Sequence, residues 1–327
     1  MSPLSALYGA VVRARNELYD RGTLKTHRLQ GPVVSIGNLT VGGSGKTPFL
    51  IALGELLRQR GLAFDVLSRG YGRASKGVAL VDPDGSPREF GDEPLLITRQ
   101  LRMPVVVGED RYSAGRFAEQ KFGPRLHLLD DGFQHRQLAR DFDIVLVARE
   151  DARDSLLPAG RLREPLASLA RADAVVLTND APDAGLSLAT QRVWRIRRWI
   201  TPPDTCEPCF AFCGIARPEQ FLAELRAAGV TLAGTRSFRD HHSYTHSDLR
   251  RLLALRRQSG STAFVTTAKD AINLQSGLAA LAPVYVIPLE MRLEDAASAV
   301  DALLAVIGER SSRVNVRKSE SASGRQS

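Results

Sequence analysis

"LTVGGSGKTPF", Leu39–Phe49, decides how this chain is read. It sets Gly42, Gly43, Ser44 and Gly45 ahead of Lys46 and Thr47. The spacing comes close to G-x-x-x-x-G-K-[ST], a loop whose backbone N–H groups cradle phosphate. It departs at one place: Thr40 stands where the strict pattern has glycine. The flanks support the phosphate reading. Val33 to Ile36 is a short apolar run rich in β-branched residues, which predicts a strand. Thr47 to Gly61 has helical spacing, Pro48 in its first turn and glycine at its end. Glycines let the chain approach phosphate and take positive φ. A helix N-terminus behind the loop favours anions. Lys46 can then reach β- and γ-phosphates, and the Thr47 hydroxyl can ligate Mg²⁺.

Outward from the loop, apolar strands alternate with helices. "LAFDVLS", "KGVALVD", "PVVVG", "RLHLLDD", "FDIVLVA" and "ADAVVLT" read as strands, with helices at "DEPLLITRQL" and "RYSAGRFAEQKF" between them. This alternation predicts an α/β fold with a mostly parallel sheet covered on both faces. Ligands of such sheets bind beyond the carboxyl ends of the strands. Asp130 and Asp131 close one of these strands, where a Mg²⁺-holding acid belongs. An acid after a strand is weak by itself, but with the glycine loop it becomes specific. Some P-loop proteins carry a deviant loop with two glycines before x-G-K-[ST], which "TVGGSGKT" resembles. The candidate phosphate cradle is therefore Thr40, Val41, Gly42, Gly43, Ser44, Gly45, Lys46 and Thr47.

The expected organisation is an N-terminal helix over 1–30, a P-loop core over 31–185 and a hinge over 186–208. A smaller C-terminal α/β subdomain over 209–310 follows, its final helix running from Leu293 to Ile307. The polar stretch 311–327 reads as disordered.

The chain has 327 residues, a net charge of +8 and a pI near 9.7, and only six of its basic residues are lysine. That balance favours anionic partners, or reflects arginine on ordinary solvated faces. No apolar run is long enough for a transmembrane helix, and no signal peptide begins the chain. Leu4, Leu7, Tyr8, Val11, Leu18 and Tyr19 fall near helical spacing with Arg13, Arg15 and Arg21 close by. Such a helix can lie in a membrane interface or pack on the protein body. Cys206, Cys209 and Cys213 lack the further donors a structural zinc needs, so buried strand cysteines are expected. Two other classes share some of these features. A switch-type ATPase or metallochaperone would have the loop and the acid. A nucleic-acid binder is suggested by the pI alone, without a basic stripe interleaved with aromatics.

"GNLTVGGSGKTP", "SRGYGR", "GDEP", "DDGFQH", "LLPAGRLREP", "FCGIARPEQF", "FRDHHSY" and "TTAKDAINL" occur in this order. Together they resemble the tetraacyldisaccharide 4′-kinases of lipid A synthesis, over most of the chain. The resemblance implies transfer of the γ-phosphoryl of ATP, with Mg²⁺, to the 4′-hydroxyl of an acylated glucosamine disaccharide 1-phosphate. It implies a P-loop core joined to a smaller subdomain by a two-stranded hinge. It also implies peripheral attachment, through the first helix, to the anionic cytoplasmic face of the inner membrane. No nucleic-acid partner is expected, and a monomer is the default. One departure is Ala268, where the family usually has an acid before the lysine of "TTAKD".

Roles follow from the matched motifs. Lys46 aligns and neutralises phosphate, and Thr47, Asp130, Asp131 and Glu164 are the candidate metal ligands. Arg163 is set near the transferring charge, although Arg163 and Glu164 can equally form a surface ion pair. Asp92 of "GDEP" is the candidate general base, against a plain helix-capping role. His241 matches the histidine that pairs with it, with His242 beside it as a rival. Because Asp92 precedes the expected hinge and His241 follows it, their pair is expected to assemble only on closure. Arg69, Tyr71 and Arg73 are substrate candidates, and Gln134 and His135 are candidates to support the acids from behind.

Overall fold

Backbone geometry at the glycine loop shows why this segment folds as it does. Gly42 and Gly45 have φ of 98° and 80°, a region that residues with a Cβ adopt only at a cost. Gly45 caps the following helix from this left-handed conformation. Thr40 is buried and forms a β-bridge with Leu162, while Val41 N–H donates to the Arg161 carbonyl at 2.9 Å. The position that the strict pattern leaves to glycine is here pinned to the "GRLREP" segment.

The structure, a computed structural model, describes residues 2–43, 45–178, 188, 191–204 and 207–323, without the side chains of 311 and 313–323. Ser44 and Cys206 lie outside the described residues. The chain begins with α1 (Pro3–Asp20), β1 (Val33–Asn38), α2 (Lys46–Gln59), β2 (Phe64–Ser68), β3 (Ala79–Leu80) and α3 (Pro87–Phe90). Next come α4 (Asp92–Leu101), β4 (Val105–Val107), α5 (Arg111–Phe122), β5 (Leu126–Asp130), β6 (Phe142–Val147), β7 (Ala174–Thr178) and β8 (Arg192–Ile200). Then follow β9 (Cys209–Cys213), α6 (Pro218–Ala227), β10 (Leu232–Ser237), α7 (His246–Gln258), β11 (Ala263–Thr267) and α8 (Ala268–Leu274). The last elements are α9 (Gly277–Ala280), β12 (Val284–Ile287), β13 (Leu289–Leu293) and α10 (Ala296–Ser323).

These elements form two compact units. The first comprises Met1–Ser68, Asp110–Arg197 and Arg292–Ser327, and the second Arg69–Glu109 and Arg198–Met291. In the first, strands run in the order β13-β8-β7-β6-β1-β5-β2. Every pair from β8 through β7, β6, β1 and β5 to β2 is parallel. β1, β5 and β6 are buried along their whole length, as a sheet covered on both faces requires. Ile36 pairs with Asp130, and Leu67 with Leu129. This register brings Asp130 beside Ser68 at the carboxyl ends of β5 and β2. α2 buries Phe49, Leu50, Leu53 and Leu57 and ends where Gly61, at φ 72°, turns the chain. Leu62 N–H bonds the Leu57 carbonyl across that turn, a Schellman closure.

The second unit has its own parallel sheet, β10-β9-β11-β12. Ala211, Cys213, Leu225 and Val265 pack one face, and Phe212, Leu252 and Phe264 the other. Cys209 and Cys213 are buried at the two ends of β9. α4 packs on α8 inside this unit.

Three boundaries differ from the sequence reading. Residues 69–109, assigned to the core by chain order, belong to the second unit, because α4 packs on α8. Chain crossings therefore number four, two of them inside β8 and β13. The final helix starts at Ala296, because Leu289, Met291 and Leu293 alternate with Glu290 and Arg292, a strand period. The polar stretch from 311, expected to be disordered, continues α10 to Ser323. It has no glycine or proline between Gly308 and Gly324 to stop a helix already nucleated.

Candidate functional site

In the first unit, Lys46 opens α2 directly after the glycine loop. Its ammonium donates to Asn38 Oδ1 at 3.0 Å and lies 3.4 Å from Asp131 Oδ1. Arg163 forks onto Asp131, donating from Nη1 to Oδ2 at 3.1 Å and from Nη2 to Oδ1 at 2.9 Å. Its Nη2 also donates to Asn38 Oδ1. Two cations thus converge on one amide oxygen and one carboxylate at the end of β1. Burial acts to raise the Asp131 carboxyl, but Lys46 and Arg163 outweigh it and hold it well below the usual range. Asp131 has φ 49°, which turns its side chain away from the line of β5.

Asn38 was not singled out by the sequence reading, although it stands in "GNLT". It is fully buried, and its Nδ2 donates to Thr40 O at 2.9 Å and Thr40 Oγ1 at 3.0 Å. Gln134 Nε2 in turn donates to the Asn38 carbonyl at 3.0 Å. Asp130 is buried and accepts from Ser68 Oγ at 2.9 Å. His135 is pushed down to about 4 by burial and by Arg111, so it is neutral.

Glu164 does not join this group. One of its oxygens accepts from Asn16 Nδ2 at 2.8 Å, and Arg171 lies 2.9 Å away. Its carboxylate ties α1 to the core. α1 is further tied by Ser5 Oγ to the Leu156 carbonyl at 2.9 Å and by Tyr8 Oη to the Arg163 carbonyl at 3.0 Å.

The second unit holds a different cluster. His241 Nδ1 lies 3.0 and 2.9 Å from the two oxygens of Asp92. Asn273 Nδ2 donates to Asp92 Oδ2 at 3.0 Å, and Glu93 N–H to Oδ1 at 2.9 Å. Lys269 sits 3.4 Å from Glu93, 3.0 Å from Asp240 and 3.2 Å from His241 Nε2. Burial acts to raise Asp92, but the His241 bond and the Lys269 charge lower it on balance. His241 is raised, first by its bond to Asp92. Asp92 and His241 belong to one unit and are already bonded, so their pair does not wait for closure across a hinge. The capping position of α4 is taken by Gly91 at φ 91°, and Asp92 is the first helical residue. His242 is excluded as the partner, since it stacks on Phe238 and bonds Asp248 at 3.1 Å.

Of the substrate candidates, Arg69 is exposed, and Tyr71 is 66% exposed with its ring 5.3 Å from that of His241. Arg73 does not present its charge. Its side chain is 2% exposed and is held by the Gly77 carbonyl and Glu109. Lys269 and Asn273 were also missed as site residues, although both stand in "TTAKDAINL". Their spacing of four on α8 puts them on one helix face.

Comparison with known proteins gives one family, described as Tetraacyldisaccharide-1-P 4'-kinase, whose model matches residues 1–308. A tetraacyldisaccharide 4'-kinase of Koribacter versatilis is 52% identical over 95% of this chain and 99% of its own length. One of Geobacter metallireducens is 40% identical over 90% of this chain and 94% of its own. The crystal structure of an apo form of LpxK from Aquifex aeolicus in complex with ATP superposes with a TM-score of 0.77 at 35% identity, covering 93% of this chain and 98% of that one.

Proposed function

The chain belongs to the tetraacyldisaccharide-1-P 4'-kinase family, and from that premise we propose that it moves the γ-phosphoryl group of ATP onto the 4′-hydroxyl of a tetraacylated glucosamine disaccharide 1-phosphate, giving lipid IVA. The observation that carries this reading is the convergence of Lys46 and Arg163 behind the glycine loop. Phosphoryl transfer leaves the protein little covalent chemistry. Its work is alignment, charge neutralisation and removal of the acceptor's proton.

The sugar oxygen forms a bond to the γ-phosphorus as the bond from that phosphorus to the bridging oxygen breaks, and ADP leaves. Lys46 and Arg163 offset the charge on the phosphoryl oxygens. The hydroxyl proton passes to the Asp92 carboxylate, whose orientation is set by His241, Asn273 and Glu93 N–H. Thr47, Asp130 and Asp131 supply hard oxygen donors at the loop. One or two carboxylates and a hydroxyl suit Mg²⁺ when phosphate oxygens and water fill its other positions. Magnesium, when bound, neutralises charge on the nucleotide phosphates. Asp131, paired here with Lys46 and Arg163, would serve it directly or through water.

α1 supports attachment to an anionic bilayer surface on the cytoplasmic side. Leu4, Leu7, Val11 and Leu18 are 63, 64, 60 and 41% exposed and fall within one narrow helical stripe. Arg13 and Arg15 lie on the same helix. Among the described residues no helix is long and apolar enough to cross a membrane, so the attachment is peripheral.

The test is transfer of labelled γ-phosphate from ATP to tetraacyldisaccharide 1-phosphate in detergent, with the product's new phosphate located on the sugar. Labelled 4′-phosphate is expected. Slow ATP hydrolysis with no lipid product would replace the kinase by a switch-type ATPase.

A further inference from the structure

Lys269 has no role in the reaction as described so far, yet it is the cation about which the Asp92 cluster is arranged. It projects from the first turn of α8, and its side chain is only 15% exposed. Around it stand Asp92 and Glu93 from α4 and Asp240 and His241 from the loop after β10. The Tyr71 ring lies 5.3 Å from that of His241. Among the described residues no other lysine or arginine is bonded to Asp92, Glu93 or Asp240.

We propose that Lys269 is a positioning residue for proton transfer: its ammonium donates to His241 Nε2 and so fixes the ring as the Nδ1–H form that donates to Asp92. An ammonium has three donors and no acceptor. At 3.2 Å from Nε2 it makes a bond only if Nε2 carries a lone pair. The ring proton must then sit on Nδ1, which faces both Asp92 oxygens. The rival partner for Nε2 is Asp240 Oδ2, which would demand a proton there. It lies 3.8 Å away, beyond hydrogen-bond range.

Two consequences follow. The ring cannot flip its tautomer and leave Asp92 facing a lone pair. The ammonium also opposes protonation of the ring, which Asp92 and Asp240 favour, and of Asp92, which burial favours. Burial works against the charge of Lys269 itself, but Glu93, Asp92 and Asp240 keep it protonated. Asn273, one helical turn further on, holds the second oxygen of the same carboxylate. The inference rests on Asp92 being the base, and its test keeps the two apart.

The first readout uses the unaltered protein with ¹⁵N-labelled histidine, at about pH 8.5, on the alkaline side of an ordinary ring's titration. A protonated Nδ1 and a bare Nε2 are expected for His241, and a proton on Nε2 overturns the proposal. The second is the pH profile of kcat/KM for Lys269→Met and Lys269→Arg. The acidic limb of Lys269→Met should move up by about one pH unit, as loss of a charge at this distance implies. Lys269→Arg should leave the limb in place. A lower plateau with an unmoved limb in Lys269→Met would make Lys269 merely structural. If Asp92→Ala keeps full activity, the base reading fails by itself, and the ring nitrogens still decide the tautomer without turnover. If Lys269→Met does not fold, the unaltered protein decides alone.

Discussion

The loop cluster and the Asp92 cluster handle charge in opposite ways. At the loop, two cations, Lys46 and Arg163, share one carboxylate and one amide oxygen. Around Asp92, three carboxylates and a histidine share one cation, Lys269. The first suits a region that must accept a polyanion, because excess positive charge is already ordered there. The second suits a region that must take up a proton, because a carboxylate held ionised among other acids keeps a vacancy for one. The clusters differ in origin too. Lys46 and Asn38 lie on either side of a single turn, whereas Asp92 and His241 come together from 149 residues apart in the chain.

The sharpest way to break the loop side of this comparison is Asn38→Ala. It removes the oxygen on which both cations converge and frees Thr40. Misplacement of this kind can lower kcat by roughly 10²-fold. The measurement is steady-state phosphoryl transfer, with the fold checked by circular dichroism. An unchanged kcat would mean that Lys46 and Arg163 find their places without Asn38.

A smaller effect is expected from Gly45→Ala. Its φ of 80° would cost a residue with a Cβ about 1–2 kcal/mol. Urea unfolding should register that loss, while Gly43→Ala, at a glycine without positive φ, should unfold much as the parent does.

The smallest effect sharpens the other side. Asp92 is lowered from its ordinary 3.8 and His241 raised from 6.5. The Asp92 contribution is present above 3.8 and is lost as pH falls through its lowered value. The His241 contribution is complete below 6.5 and is lost as pH rises through its raised value. The melting-temperature gap between the parent and Asp92→Asn should therefore be widest at about pH 4–6.5 and shrink toward pH 9. A gap that does not vary with pH would mean that the pair is held together by something other than charge.

What the sequence disclosed follows the same division. β1, the glycine loop and α2 are contiguous, and their chemistry is written in glycine spacing and strand-to-helix order. Asp130 and Asp131 were legible because an apolar strand delivers them. Asn38 stood in a quoted motif but was overlooked, because an asparagine between a strand and a glycine loop has no signature until its partners are known. Glu164 and Arg73 pose a related problem. A charged residue in a motif looks functional, and only burial shows that Glu164 binds Arg171 and Asn16, or that Arg73 binds Glu109. Asp92 read also as a helix cap, and the positive φ of Gly91 was needed to see that glycine holds that place. The domain boundary failed because chain order cannot show α4 packing on α8. Lys269 and Asn273 escaped because a four-residue spacing on a seven-residue helix carries no pattern of its own.

The most direct test of the account is to measure Mg·ATP affinity and phosphoryl transfer together in Asp92→Ala. If the loop cluster holds nucleotide and Asp92 takes the proton, affinity stays within about twofold of the parent while kcat falls roughly 10²–10⁴-fold. Loss of nucleotide affinity in proportion to the loss of rate would contradict it, placing Asp92 in nucleotide binding and removing it from the chemistry.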